Sequence, residues 1–197
     1  MPPPELHVIA GPNGAGKSTL YDTVLRRRTA AEFVNADLLA WARFGHPAGT
    51  EAESLYGQQA AEERRAELIA RRESLVVEST FSHPSKLDLL REARAAGYRI
   101  FAYHVGVETP DDAVARVAAR VAEGGHPVPE SRVRARYERN GPLIREAVLT
   151  ADLGLVFDNS RLGARPLLLA AFTRGRGRRA ATTLPAWAET LYGADLA

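Results

Sequence analysis

The residues with the clearest chemical content are Gly11, Pro12, Asn13, Gly14, Ala15, Gly16, Lys17, Ser18 and Thr19. They fill the pattern G-x-x-x-x-G-K-[ST] at every fixed position, and the apolar run 6–10 stands where that pattern requires a strand. A loop this rich in glycine turns tightly enough to aim successive backbone N–H groups at a polyanion. Lys17 would reach the β- and γ-phosphates and Ser18 would hold Mg²⁺. A helix starting near Lys17 would turn its positive end toward the same anion. The alternative is a strand-to-helix turn that binds nothing. Of 26 basic residues only Lys17 and Lys86 are lysines, and one of the two falls in this loop, where a compact ammonium serves as a point charge.

Transfer of a phosphoryl group to an alcohol also needs a carboxylate to take the alcohol's proton. Asp37 is the candidate base, with Asn35 beside it as a substrate contact; the competing role for Asp37 is to cap a helix over 38–44. Glu78, followed by Ser79 and Thr80, would order Mg²⁺ through water or bind the acceptor, or else is a strand-end carboxylate satisfied by backbone N–H groups. Six arginines, Arg116, Arg120, Arg132, Arg134, Arg136 and Arg139, are set in two helical stretches joined through Gly124 and Gly125, the construction of a lid over phosphates. Arg120 and Arg134 are the foremost candidates, since most of the six would be solvated or paired with acids such as Glu123 and Glu130. Asn159 would read the adenine base, or serve as an ordinary turn residue.

These residues need a scaffold that brings them together. Apolar runs at 6–10, 33–35, 75–78, 98–107, 153–157 and 167–172 read as strands, with helical stretches between them. Helices are expected over 18–28, 51–72, from Pro84 to Gly97, and from a strong start at Thr109, Pro110, Asp111 and Asp112. Another begins at Pro129 and Glu130 and must break or kink at Gly141 and Pro142, and a short terminal one follows Pro185. This alternation implies an α/β fold: a three-layer P-loop NTPase of the nucleoside-kinase type, with a mostly parallel sheet of five to six strands and a helical lid. Ligands of such sheets sit at the carboxyl ends of the strands, where Gly11, Asp37, Glu78 and Asn159 all fall. The expected organisation is one kinase domain over 1–172, with its lid at about 109–140, then a basic linker and C-terminal helix over 173–197.

The bulk composition agrees with a globular domain and closes off several other classes. There is no cysteine, which excludes disulfides and thiolate chemistry. No apolar run approaches the ~20 residues that span a bilayer, so a cytoplasmic protein without membrane contact is expected. The net charge of +2 owes everything to Arg174, Arg176, Arg178 and Arg179. Without them the body carries a slight acidic excess, which speaks against a nucleic-acid partner. No H-x-x-x-H zinc spacing, G-x-S-x-G elbow or N-K-x-D guanine motif occurs.

The blocks at 11–19, 33–40 (Phe-Val-Asn-Ala-Asp-Leu-Leu-Ala), 78–82 (Glu-Ser-Thr-Phe-Ser), 94–99 (Arg-Ala-Ala-Gly-Tyr-Arg), 124–130 (Gly-Gly-His-Pro-Val-Pro-Glu) and 158–160 (Asp-Asn-Ser) occur in that order. Together they resemble the zeta-toxin-like P-loop kinases. The resemblance implies an ATP- and Mg²⁺-dependent small-molecule kinase, whose toxin members phosphorylate a sugar hydroxyl of UDP-N-acetylglucosamine and are restrained by a small antitoxin. Carried over by position, Lys17 and Ser18 match the phosphate loop, Asp37 the base, and Glu78 with Thr80 the acidic motif that contacts substrate. Arg120, Arg134 and Arg136 fall in the lid segment, where Ala135 replaces an arginine common in relatives. A polynucleotide or nucleoside kinase and a non-catalytic ATP-binding interaction protein remain as alternatives.

Overall fold

A computed structural model describes residues 2–125 and 127–196. Seven strands form one sheet in the order β2 (Glu32–Val34), β3 (Leu75–Ser79), β1 (Glu5–Ala10), β4 (Arg99–Gly106), β5 (Leu153–Asp158), β6 (Leu167–Thr173) and β7 (Arg176–Arg179). The first five in this order are parallel, and β6 and β7 run antiparallel at one edge. Strand β1 lies inside the sheet, between β3 and β4, and is buried on both faces, which explains its apolar Leu6, Val8, Ile9 and Ala10. Leu6, Val8 and Ala10 point into a core shared with α3 (Glu51–Ala70), α4 (Ser85–Ala95) and α6 (Glu130–Thr150). Ile9 points into a second core with Leu20, Leu25 and the apolar face of α5 (Pro110–Ala122).

Local signals set most boundaries. The α5 helix opens with Thr109 and Asp112 in a reciprocal capping box and proline in the first turn. Thr50 and Glu53 do the same for α3. The helix after the phosphate loop is shorter than the expected 18–28: α1 covers Lys17–Leu20 and passes into a π-helical turn at Tyr21–Leu25.

Two expectations are corrected. The sheet has seven strands rather than five to six, because the arginine-rich stretch is not a linker. Arg174 and Gly175 both adopt positive φ, 50° and 80°, the two-residue turn that suits a β-hairpin, and Thr173 pairs with Arg176 across it. The arginines of β7 are exposed on an edge strand, where charge blunts unwanted pairing. Of the break or kink expected at Gly141 and Pro142, no break occurs: one helix runs through both. The bond lost at proline is offset by burial of Val133, Ile144, Ala147 and Val148 along one side.

Candidate active site

The phosphate loop leaves the end of β1 and enters α1 at Gly16, the N-cap, with φ of 84°. A side chain there would be strained and would meet Asn159 Nδ2 at 2.1 Å, so the position accepts only glycine. Lys17 is buried, 7% exposed, and its Nζ donates to the Pro12 carbonyl at 3.0 Å across the loop. The same Nζ lies 3.8 Å from Glu78 Oε1 at the end of β3. Burial holds the Lys17 ammonium below the usual lysine range. Glu78 opposes this most strongly and Asp37 more weakly, while Arg120 and Arg136 add to it. All four groups are therefore within electrostatic reach of the loop.

Glu78 is the junction of the site. Its Oε2 accepts from Ser18 Oγ at 2.9 Å and from Asn35 Nδ2 at 3.1 Å. Asn35 is buried, and its Oδ1 caps α2 (Ala36–Phe44) by accepting from Asp37 N and Leu38 N at 2.8 and 3.1 Å. Both ends of the Asn35 amide are thus engaged within the protein. Asp37 is not the cap of α2: it sits in the first turn, exposed, with its carboxylate free of that duty. Thr80 follows β3, its Oγ1 3.4 Å from Ser82 Oγ.

The arginines divide by partner. Arg136 NH1 donates to Asn13 Oδ1 of the phosphate loop at 3.2 Å, and Arg116 NH2 donates to the Ser160 carbonyl at 2.8 Å. Arg134 is held by Asp111 at 2.6 Å and Glu130 at 2.8 Å, which ties α6 to the start of α5. Arg136, which the sequence places in the segment 109–140, thus approaches the phosphate loop directly. Within the block at 124–130, His126 lies outside the described residues.

Asn159, at the end of β5, is also buried. Its Nδ2 donates to the Ala15 carbonyl at 2.8 Å, so its amide latches the phosphate loop. Sequence reasoning missed what supports this latch. Ser160 Oγ and Trp187 Nε1 both donate to Asp158 Oδ1, at 2.5 and 3.3 Å. Trp187 belongs to α7 (Ala186–Tyr192) and packs so closely on Gly106 that a Cβ there would lie 2.3 Å from the indole. The available signal was the glycine closing β4. Asn140 was missed as well; it is buried on α6 and its Nδ2 donates to the Thr80 carbonyl at 3.1 Å.

Among the described residues no group of three or more His, Cys, Asp or Glu side chains is arranged to hold a metal. Ser18 and Glu78 nevertheless present oxygen donors at one point beside the loop, the hard ligands that suit Mg²⁺ when phosphate oxygens complete the shell. A cavity of about 340 Å³ between α5 and α6 is lined chiefly by Val114, Val117, Val121, Val128 and Val133. No phosphate-loop residue lines it.

Comparison with known proteins bears on this geometry. No curated protein matches the sequence. A chain of the AvrRxo1-ORF1:-ORF2 complex with ATP superimposes with a TM-score of 0.69 at 16% identity, over 98% of this chain and 64% of that one. The chain thus spans less than two thirds of that relative's length. A chain of the PezAT chromosomal toxin-antitoxin system of Streptococcus pneumoniae gives 0.63 at 12% identity, over 98% and 80%. The Pnkp1/Rnl/Hen1 RNA repair complex gives 0.54 at 20%, over 69% and 43%. At these identities the likeness is one of fold alone. Residues 6–143 match the AAA_33 family model, described as an AAA domain, which is broader than the zeta-toxin-like kinases. Because that match covers more than half of the chain, including the phosphate loop, the acidic end of β3 and all of 109–140, the chain belongs to the AAA domain family.

Proposed function

We propose that the protein is an ATP-dependent kinase that transfers the γ-phosphoryl group to a hydroxyl of a small molecule, a nucleotide sugar such as UDP-N-acetylglucosamine being the first candidate. The observation that carries this reading is the joining of Lys17, Ser18 and Asn35 through Glu78, with Asp37 at the neighbouring strand end.

The loop N–H groups and Lys17 would bind the triphosphate, an anion that relieves the cost of keeping the ammonium buried. Ser18 and Glu78 would hold Mg²⁺, which when bound neutralises charge on the phosphates. Asp37 would take the proton of the acceptor hydroxyl as its oxygen bonds to the γ-phosphorus and the bond to the β-phosphate oxygen breaks. Arg120 and Arg136 would stabilise the transferring group; Arg134 would first have to leave Asp111 and Glu130. Thr80 would contact the acceptor, Asn35 would hold Glu78 toward it, and Asn159 would fix the loop beneath the nucleotide. The segment 109–140 would act as the lid. A small antitoxin-like protein is proposed as a partner, in keeping with the complexes named for the PezAT and AvrRxo1 relatives, and a cytoplasmic location is proposed with it.

The test is incubation with ATP, Mg²⁺ and UDP-N-acetylglucosamine beside Lys17→Ala, with mass spectrometry of the products. One phosphate gained on the sugar nucleotide, and lost in the variant, supports the reading. No gain there but gain on a 5′-hydroxyl oligonucleotide would replace it with a polynucleotide kinase.

A further inference from the structure

Asn140 is 2% exposed and lies on the long lid helix, one turn beyond Arg136. Its neighbours along that side of α6, Val133, Ile144, Ala147 and Val148, are buried and apolar. Core packing alone would favour leucine here, since a buried amide is costly unless it is paired. The pairing is specific: Nδ2 donates to the carbonyl of Thr80, two residues past Glu78.

The backbone at that point is unusual. Phe81 is buried with φ of 55°, a left-handed conformation that a bulky residue seldom adopts. Ser79 Oγ closes the turn from within by accepting from Phe81 N at 3.0 Å, and Asn140 fastens it from outside. Strained conformations of this kind persist only where surrounding contacts determine them. On the same helix, Tyr137 Oη donates to the carbonyls of Val107 and Glu108 after β4, and Arg136 reaches Asn13 after β1. One helical turn and its neighbours therefore grip the loops after β1, β3 and β4.

We infer that Asn140 is a positioning residue, which fixes the turn after β3 to α6 so that Glu78 is held against Ser18 while Arg136 is held against the phosphate loop. The inference rests on the kinase reading, because the purpose of the arrangement is the Ser18 and Glu78 pair. It touches no substrate itself.

The experiment compares ATP binding by the wild type and Asn140→Leu, with Mg²⁺ and with EDTA, alongside thermal melting. Leucine fills nearly the same volume without a donor; Asn140→Ser is the second variant if leucine prevents folding. The wild type should bind ATP more tightly with Mg²⁺. The variants should lose that advantage by about tenfold or more, as when a metal ligand's support is removed, while affinity in EDTA stays within about twofold. Equal loss under both conditions, or none, would overturn the positioning role and leave the kinase reading intact. A wild type that binds no ATP would overturn the kinase reading and this inference with it.

Discussion

The Ser18 hydroxyl donates to Glu78 Oε2 at 2.9 Å, although 60 positions separate the two residues. This contact joins the phosphate loop after β1 to the end of its neighbour β3.

Glu78→Gln keeps the size of the side chain but removes the charge beside buried Lys17. The Mg²⁺ concentration for half-maximal turnover should rise about tenfold or more, with nucleotide binding in EDTA little altered. An unchanged Mg²⁺ dependence would take Glu78 out of the ion's surroundings.

Lys17→Met removes an ammonium that burial disfavours. Without nucleotide the variant should melt at or above the wild-type temperature. It should also lose the stabilisation that ATP gives the wild type, about 2.7 kcal/mol at a hundredfold excess over Kd. A variant that ATP still stabilises would move the triphosphate elsewhere.

Asp37→Asn should leave the helix intact, since Asn35 and not Asp37 caps α2. ATP affinity should be retained and turnover should fall by about 10²- to 10⁴-fold, the usual worth of a positioned base. Full turnover would dismiss Asp37 from that role.

Two alanine variants separate the arginines of α6. Arg136→Ala removes a guanidinium that already touches the phosphate loop and should lower turnover by about 10³-fold. Arg134→Ala breaks two exposed ion pairs between α5 and α6 and should cost far less. The reverse order, measured under saturating ATP, would show that Arg134 swings inward.

His104 is fully buried, 2.7 Å from Tyr192 Oη, and burial pushes its pKa down to about 3. Between about pH 6.5 and pH 3 the unfolded chain binds a proton that the folded chain refuses. Stability should therefore be intact above pH 6.5 and fall with acid by up to about 1.4 kcal/mol per pH unit. His7, also depressed by burial, adds to the same limb. Denaturant melts at pH 7, 5.5 and 4 should show a flatter acid limb when His104→Leu is combined with Tyr192→Phe.

Much of this arrangement was legible because it is written locally. The phosphate loop is a contiguous pattern, the α5 start is a four-residue signal, and the mostly parallel sheet follows from alternation of apolar runs with helical stretches. What escaped depends on partners far along the chain. Helical spacing placed Arg134 and Arg136 on α6 but did not say that Asp111 would hold one and Asn13 would meet the other. Asn35 and Asp37 were both seen, yet only the folded capping geometry assigns the cap to Asn35. Strand β7 was hidden because solvated arginines on an edge read as a linker; its signal was the Arg174 and Gly175 turn. Asn140 occupies a core-facing position in the 133, 137, 140, 144 spacing, where a polar residue asks for a partner.

The latch from Asn159 to the Ala15 carbonyl has a consequence for biosynthesis. The phosphate loop leaves the ribosome well before Asn159, and its backbone gains this partner only after a further 144 positions have been made. Trp187, which supports the strand end carrying Asn159, emerges later still. A nascent chain halted after β4 would display the motif with neither support, so nucleotide capture should begin only once Trp187 has been made.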